Sequence, residues 1–247
     1  MNCGEIRVRA RVSRQVFRLL LAWAVLGSDS AKAEWAALSW DHCGSQVLTK
    51  QFACDSNVGQ SRLVVSTLRD SVAQFTDGFR CVIEIAVASA DLPSWWQIKT
   101  GGCRSGAVTQ SDIPTANDLA SCSYPWTGVI SPSLSVDNLT LNRLRITILA
   151  GSPTGDNSMT ALVESFIIAL AVSHSQSVGP GSCNGCDVPA CIMLRELTMV
   201  DGFPTFALVS LPVRESTFLL AWQSSRESCI ATPVLNRTWG ALKALFR

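Results

Sequence analysis

Between residues 62 and 222 several stretches alternate apolar and polar side chains at every second position. Leu144, Ile146 and Ile148 alternate with Arg143, Arg145 and Thr147, the period of two that marks a half-buried strand. Residues 81–89 (CVIEIAVAS) place Ile83, Ile85 and Val87 on one face and Glu84 on the other. Phe166, Ile168, Leu170 and Val172 do the same within 161–173, and 62–67, 191–199, 205–211 and 217–222 are further candidate strands. Turn signals separate them: Thr76-Asp77-Gly78, Gly101-Gly102, Gly151-Ser152-Pro153-Thr154-Gly155, Gly179-Pro180-Gly181 and Asp201-Gly202.

Many strands with Gly/Pro punctuation and little helical periodicity predict an all-β fold, an antiparallel β-sandwich of the jelly-roll kind. The similar runs 79–89 and 166–173 are expected in its two sheets, and no polar linker divides the chain into two domains. The one helical pattern is 236–247. Thr238 can cap it, Trp239, Leu242 and Leu245 or Phe246 share a face, and Lys243 and Arg247 suit its C-terminal end. Two turns do not persist alone in water, so this helix is expected to dock on the sandwich.

Residues 1–33 read as a signal peptide. Arg7, Arg9, Arg11, Arg14 and Arg18 precede a short apolar core at 19–27, and Ala31-Lys32-Ala33 is a cleavage motif that makes Glu34 the first mature residue. The apolar core is less than half the roughly 20 residues that a membrane span needs. Residues 34–247 are then one exported domain, extracellular or periplasmic, with no membrane span.

Composition narrows the partners. Hydrophobic residues make up 47% and charged residues 16%, too apolar for a disordered chain. Losing 1–33 removes six of the 20 basic and two of the 19 acidic residues, leaving 14 against 17 and a net charge of −3. That excludes a basic field for nucleic acid.

Of ten cysteines nine remain after Cys3 departs: Cys43, Cys54, Cys81, Cys103, Cys122, Cys183, Cys186, Cys191 and Cys229. An exported chain with this many is expected to form disulfides, with one thiol left over. Cys43 and Cys54 flank a turn-sized segment, and Cys103 and Cys122 bracket a polar loop, so Cys43–Cys54 and Cys103–Cys122 are the expected bridges. The other four are expected to pair among themselves, with Cys183–Cys191 and Cys186–Cys229 favoured over a small C-x-x-C ring. Cys81, on the Ile83/Ile85 face, is expected to be a buried inert thiol.

Three blocks resemble a group of exported bacterial proteins without an established activity: Cys183-Asn-Gly-Cys-Asp-Val-Pro-Ala-Cys-Ile-Met-Leu; Leu92-Pro-Ser-Trp-Trp with Gly102-Cys-Arg-Ser-Gly; and the ending Asn236-Arg-Thr-Trp-Gly-Ala-Leu-Lys-Ala-Leu-Phe-Arg. The block Phe52-Ala-Cys-Asp-Ser-Asn-Val-Gly-Gln also fits, so the resemblance spans most of 34–247. The chain departs from that pattern at Cys81, where an apolar residue is expected. The resemblance implies export and a β-rich fold and carries no site residue.

Candidate chemistry is sparse. Cys183-x2-Cys186-x4-Cys191 has knuckle spacing for zinc but lacks a second ligand pair, and Gly185 and Pro189 make it an irregular loop rather than a redox helix terminus. His42 beside Cys43, and His174, could serve a Cys–His nucleophile only with reduced cysteine and a third orienting group. No G-x-S-x-G, H-E-x-x-H or Walker loop occurs, and no cofactor is expected. Asp55, Asn57 and Gly155-Asp156-Asn157 are weak loop-cation candidates, since such residues more often bond their own backbone. Asn138-Leu-Thr140 and Asn236-Arg-Thr238 match the glycosylation pattern.

Trp95-Trp96 after Pro93 is the leading ligand-binding candidate. In an extended segment one of the pair enters the core and the other is left to stack on a sugar or aromatic ligand; the plainer alternative buries both. Trp126 is a second candidate. Three functions therefore compete: a secreted or cell-envelope structural or interaction module without catalysis, with a protein or glycan partner; a small-ligand or glycan-binding sandwich; and an extracellular hydrolase.

Overall fold

Strand alternation becomes sheet wherever the aliphatic side chains can face a common interior. The computed structural model describes residues 34–43, 47–70, 73–74, 76–111, 122–127, 130, 132–151, 157–201, 207–211, 213 and 218–230. The expected leader at 1–33, the helix and sequon at 236–247 and the loop residues Gly155 and Asp156 lie outside the described residues.

Two sheets pack face to face, so the chain is an all-β sandwich, with one short α-helix among the described residues, towards the C-terminus. The smaller sheet is wholly antiparallel and contains β1 (Trp35–Trp40), β3 (Gln60–Leu68), β10 (Ser165–Ser173) and β6 (Val108–Ser111), in that order. The larger runs β2 (Thr49–Lys50), β13 (Leu219–Trp222), β11 (Ala190–Asp201), β5 (Thr76–Val87), β8 (Arg143–Gly151) and β7 (Ser133–Thr140), and β12 (Ala207–Leu211) also pairs β11. Its pairs are antiparallel except β2 with β13. A small ribbon joins β4 (Ala73–Gln74) to β9 (Ser158–Met159). The helix, α1 (Arg226–Ile230), follows β13. As expected, the similar runs fall in different sheets: 79–89 in the larger and 166–173 in the smaller.

Register explains the core. Ile83 on β5 faces Ile146 of β8 on one side and Leu194 of β11 on the other, and Ile85 likewise meets Leu144 and Ile192. These residues are at most 2% exposed and share one cluster with Leu38, Leu63, Val65 and Leu170 of the opposite sheet. Cys81 sits between Ile148 and Leu197 in the same layer, as its place in the alternation predicts.

One strand departs from simple alternation. A bulge between Phe166 and Ile168 shifts the register of β10. Phe166 therefore leaves the face of Ile168, Leu170 and Val172 and joins Val64 and Ala169 in a separate outer cluster under the Cys43–Cys122 bridge. The expectation that all four share one face is corrected here, because one extra residue reverses facing. On the outer face of the larger sheet, Met193, Leu219 and Ala221 are covered by α1 through Cys229.

Candidate functional site

All eight cysteines expected in bridges are bonded, but each expected pairing is replaced. The bonds are Cys43–Cys122, Cys54–Cys186, Cys103–Cys183 and Cys191–Cys229, with Cα separations of 5.8, 5.9, 6.0 and 5.5 Å. Cys43–Cys54, Cys103–Cys122, Cys183–Cys191 and Cys186–Cys229 are not formed. Proximity along the chain misleads here, because the strand crossovers bring residues up to 132 positions apart side by side. Among the described residues Cys81 is the free thiol and is fully buried, and burial pushes it up to about 12, which suppresses the nucleophilic thiolate.

Two bridges, Cys54–Cys186 and Cys103–Cys183, fasten the loops at one end of the sandwich around an aromatic cluster. Trp95 and Trp96 occupy a 3-10 turn, Ser94–Trp96, entered through the extended Pro93. Successive side chains in such a turn lie about 120° apart, not opposite as in a strand, so both rings enter the core and are 0% exposed. Trp95 stacks on Trp222 at 5.0 Å, and Trp96 meets Trp222 edge-on at 5.8 Å. Trp126 is 3% exposed; its Nε1 donates to the Ile167 carbonyl at 3.0 Å and its ring lies 5.7 Å from Phe79. All three candidate tryptophans thus bury the faces that a ligand would stack on.

Arg104, beside Cys103, is also 0% exposed. Its Nη1 donates to the Trp95 carbonyl at 3.1 Å, its Nη2 donates to the Ser173 carbonyl, and its Cζ lies 3.7 Å above the Trp95 ring. Burial lowers its pKa to about 10.

A Ser–His pair closes the same end. His174 Nε2 lies 3.0 Å from Ser61 Oγ, and its ring stacks on Phe52 at 3.8 Å. Burial holds the imidazole below its ordinary pKa, against a backbone bond to Val58, and the cations Lys50 and Arg104 push the same way. Ser61 is 0% exposed and His174 9%. A nucleophile must reach a substrate carbonyl, and this hydroxyl is wholly buried. His42 has no thiol beside it, because Cys43 is oxidised. Cys183, Cys186 and Cys191 go to three different partners, which dissolves the knuckle. Cys43, Cys122 and Glu164 lie within 4.8 Å of one another, but the two sulfurs are bonded together. Asn57 is committed to backbone: its Oδ1 accepts from Ser177 and Val178 N–H at 2.8 and 3.0 Å.

What the bridged end presents outward is a groove of about 710 Å3. One wall is the loop 91–102, with Asp91, Gln97, Lys99 and Thr100; the other is the end of β7 and its turn into β8, with Asn138, Thr140 and the exposed Leu139 and Leu141. Backbone fixes the walls together, since Leu92 N–H donates to the Leu141 carbonyl at 2.6 Å. The loop is tight: a Cβ on Gly102 would lie 2.2 Å from the Gln97 carbonyl. The turn that sinks Trp95 and Trp96 leaves Gln97 facing solvent. Sequence reasoning singled out this loop through its tryptophans and Asn138 through its sequon, but it missed the groove, because the two walls come from separate parts of the chain.

A second groove, about 630 Å3, lies on the outer face of the larger sheet beside the Arg80–Glu196 ion pair and the half-exposed Leu149. On that face Glu84 bridges Arg145 and Arg195 at 2.8 Å each. Burial would raise its carboxyl, but the two guanidiniums outweigh that and hold it low.

In comparisons with known proteins, no family model matches the chain and no curated protein matches it significantly. Among the described residues no helix is long and apolar enough to cross a membrane.

Proposed function

We propose that this chain is an exported interaction module that binds without catalysing a reaction. The observation that carries the reading is the bridged end: the Cys103–Cys183 bridge and the Trp95–Trp222 stack anchor loop 91–102 to the core, and the Leu92–Leu141 backbone bond joins it to the β7–β8 wall. A rigid, pre-formed surface binds at a lower entropic cost than a mobile one. Four disulfides fit an oxidising location outside the cytosol, in line with the leader expected at 1–33.

The groove chemistry favours a glycan as the bound class. Asp91, Gln97, Asn138 and Thr140 offer carboxylate, amide and hydroxyl groups suited to sugar hydroxyls, while Leu139 and Leu141 offer apolar surface. The test is a glycan array with the wild type, Gln97→Ala and Asn138→Ala. Binding by the wild type that both variants lose, with thermal unfolding unchanged, supports the reading. Binding that survives both substitutions contradicts the groove as its site. Labelling of Ser61 by a fluorophosphonate probe would instead revive the hydrolase reading. Cell fractionation tests export separately.

A further inference from the structure

We infer that this chain reaches its native bridges by disulfide exchange, as a client of a dithiol–disulfide isomerase. The inference rests on oxidation of an unfolded chain, as the proposed export would require. Of the four native bonds only Cys191–Cys229 joins bonded cysteines that neighbour each other along the chain. Cys43–Cys122 crosses both Cys54–Cys186 and Cys103–Cys183, which nest one inside the other.

An unfolded chain does not favour that pattern. Ring closure falls off with roughly the three-halves power of ring length. Cys43 is eleven residues from Cys54 but 79 from its native partner Cys122, so by length alone the wrong bridge forms about 20-fold more readily. Cys103 is nineteen residues from Cys122 and 80 from Cys183, which favours the wrong bridge about 9-fold. Cys183 and Cys186, only three apart, are split between partners 80 and 132 residues away. Oxidation along an unfolded chain therefore favours Cys43–Cys54 and Cys103–Cys122, which leaves Cys183 and Cys186, robbed of their native partners, to close the small C-x-x-C ring that is strained and readily opened.

Those three wrong bridges and the three crossing native ones use the same six cysteines. Converting one set into the other is exchange without net oxidation. An isomerase thiolate attacks one sulfur of a wrong bridge; a mixed disulfide forms as the old bond breaks, and the freed cysteine leaves as a thiolate. That thiolate attacks the next bridge, and the last one released displaces the isomerase thiolate unchanged. A disulfide-donating oxidant is needed only beforehand, accepting two electrons and two protons for each bridge made.

Burial then fixes the direction. Cys54 meets Cys186 in the native arrangement, where Trp222 Nε1 donates to the Cys186 carbonyl at 2.8 Å. Once the core closes, Cys43, Cys183 and Cys186 are at most 4% exposed, whereas their partners Cys122 and Cys54 are half-buried and Cys103 is exposed. Closure of the core therefore protects one sulfur of each crossing bridge and slows further exchange without abolishing it.

The test refolds the full chain carrying Cys3→Ala from the reduced, denatured state with a thiol-free oxidant, then adds a reduced dithiol isomerase. Bridges are mapped by digestion without reduction. The expected result is a map dominated by the three neighbour bridges, which the isomerase converts to the native set with no further oxidant consumed. The native map forming in full yield with oxidant alone would overturn the inference, as would neighbour bridges that the isomerase leaves in place. A parallel chain with Cys81→Ala removes the internal thiol. If the parent corrects itself unaided and this variant does not, Cys81 performs the exchange and the need for a partner is refuted. None of these outcomes depends on whether the chain is exported or what it binds.

Discussion

Arg104 lies over Trp95 with its Cζ 3.7 Å from the ring centroid, and the same guanidinium donates to the Trp95 carbonyl. A wholly buried cation is costly unless its donors are satisfied. Here two carbonyls and a ring face take the place of a carboxylate, while the buried Nε has no hydrogen-bond partner; among the described residues no acidic side chain pairs with Arg104. The cation thereby ties loop 91–102 to the end of β10, where the Ser173 carbonyl accepts its second bond.

Replacing Arg104 by Ala should therefore lower the unfolding free energy by about 3–5 kcal/mol, through two orphaned carbonyls and a cavity against Trp95. Arg104→Lys should not rescue it, since one ammonium cannot span both carbonyls and stack on the ring. Denaturant unfolding with the disulfides intact measures both.

The bridges should rank by the length of chain they close. In the chain-entropy account, losing Cys54–Cys186, 132 residues apart, costs about 5 kcal/mol, and losing Cys191–Cys229, 38 apart, costs about 4 kcal/mol. Paired Cys→Ser variants compared by denaturant midpoint give the order; the shorter bridge proving the more important would contradict it.

His174 makes stability depend on mild acid. Its pKa is lowered in the folded state, chiefly by burial, so the unfolded chain binds the proton more readily. The stabilisation is complete above the unfolded value near 6.5 and is lost as pH falls below that towards the folded value. Thermal unfolding from pH 7.5 to 5 should show this decline, and His174→Gln should flatten it. Glu84 and Glu196, both held low, act only as pH falls through the carboxylate range.

Where one side of a strand is polar and the other aliphatic, as in Arg143–Gly151, the sequence reveals both the strand and its inner face. Trp35–Trp40 escaped notice because five of its six residues are buried, which erases the alternation. Ser133–Thr140 escaped because this edge strand offers only Leu134 and Val136 to the core before its alternation ends. The Phe166 bulge and the 3-10 turn at Trp95 each reverse a facing that a strict period assigns, and a single residue decides both. Disulfide partners and groove walls depend on which strands become neighbours in space, and composition and spacing leave that open.

The most direct test is a peptide map of the native protein, digested without reduction and alkylated after denaturation. The account predicts four linked peptide pairs, Cys43–Cys122, Cys54–Cys186, Cys103–Cys183 and Cys191–Cys229, with Cys81 the one thiol in residues 34–247 that alkylates. A linked Cys183–Cys186 or Cys43–Cys54 peptide in the native protein would contradict it, because either link breaks Cys54–Cys186, and the first also breaks the Cys103–Cys183 bridge beside loop 91–102.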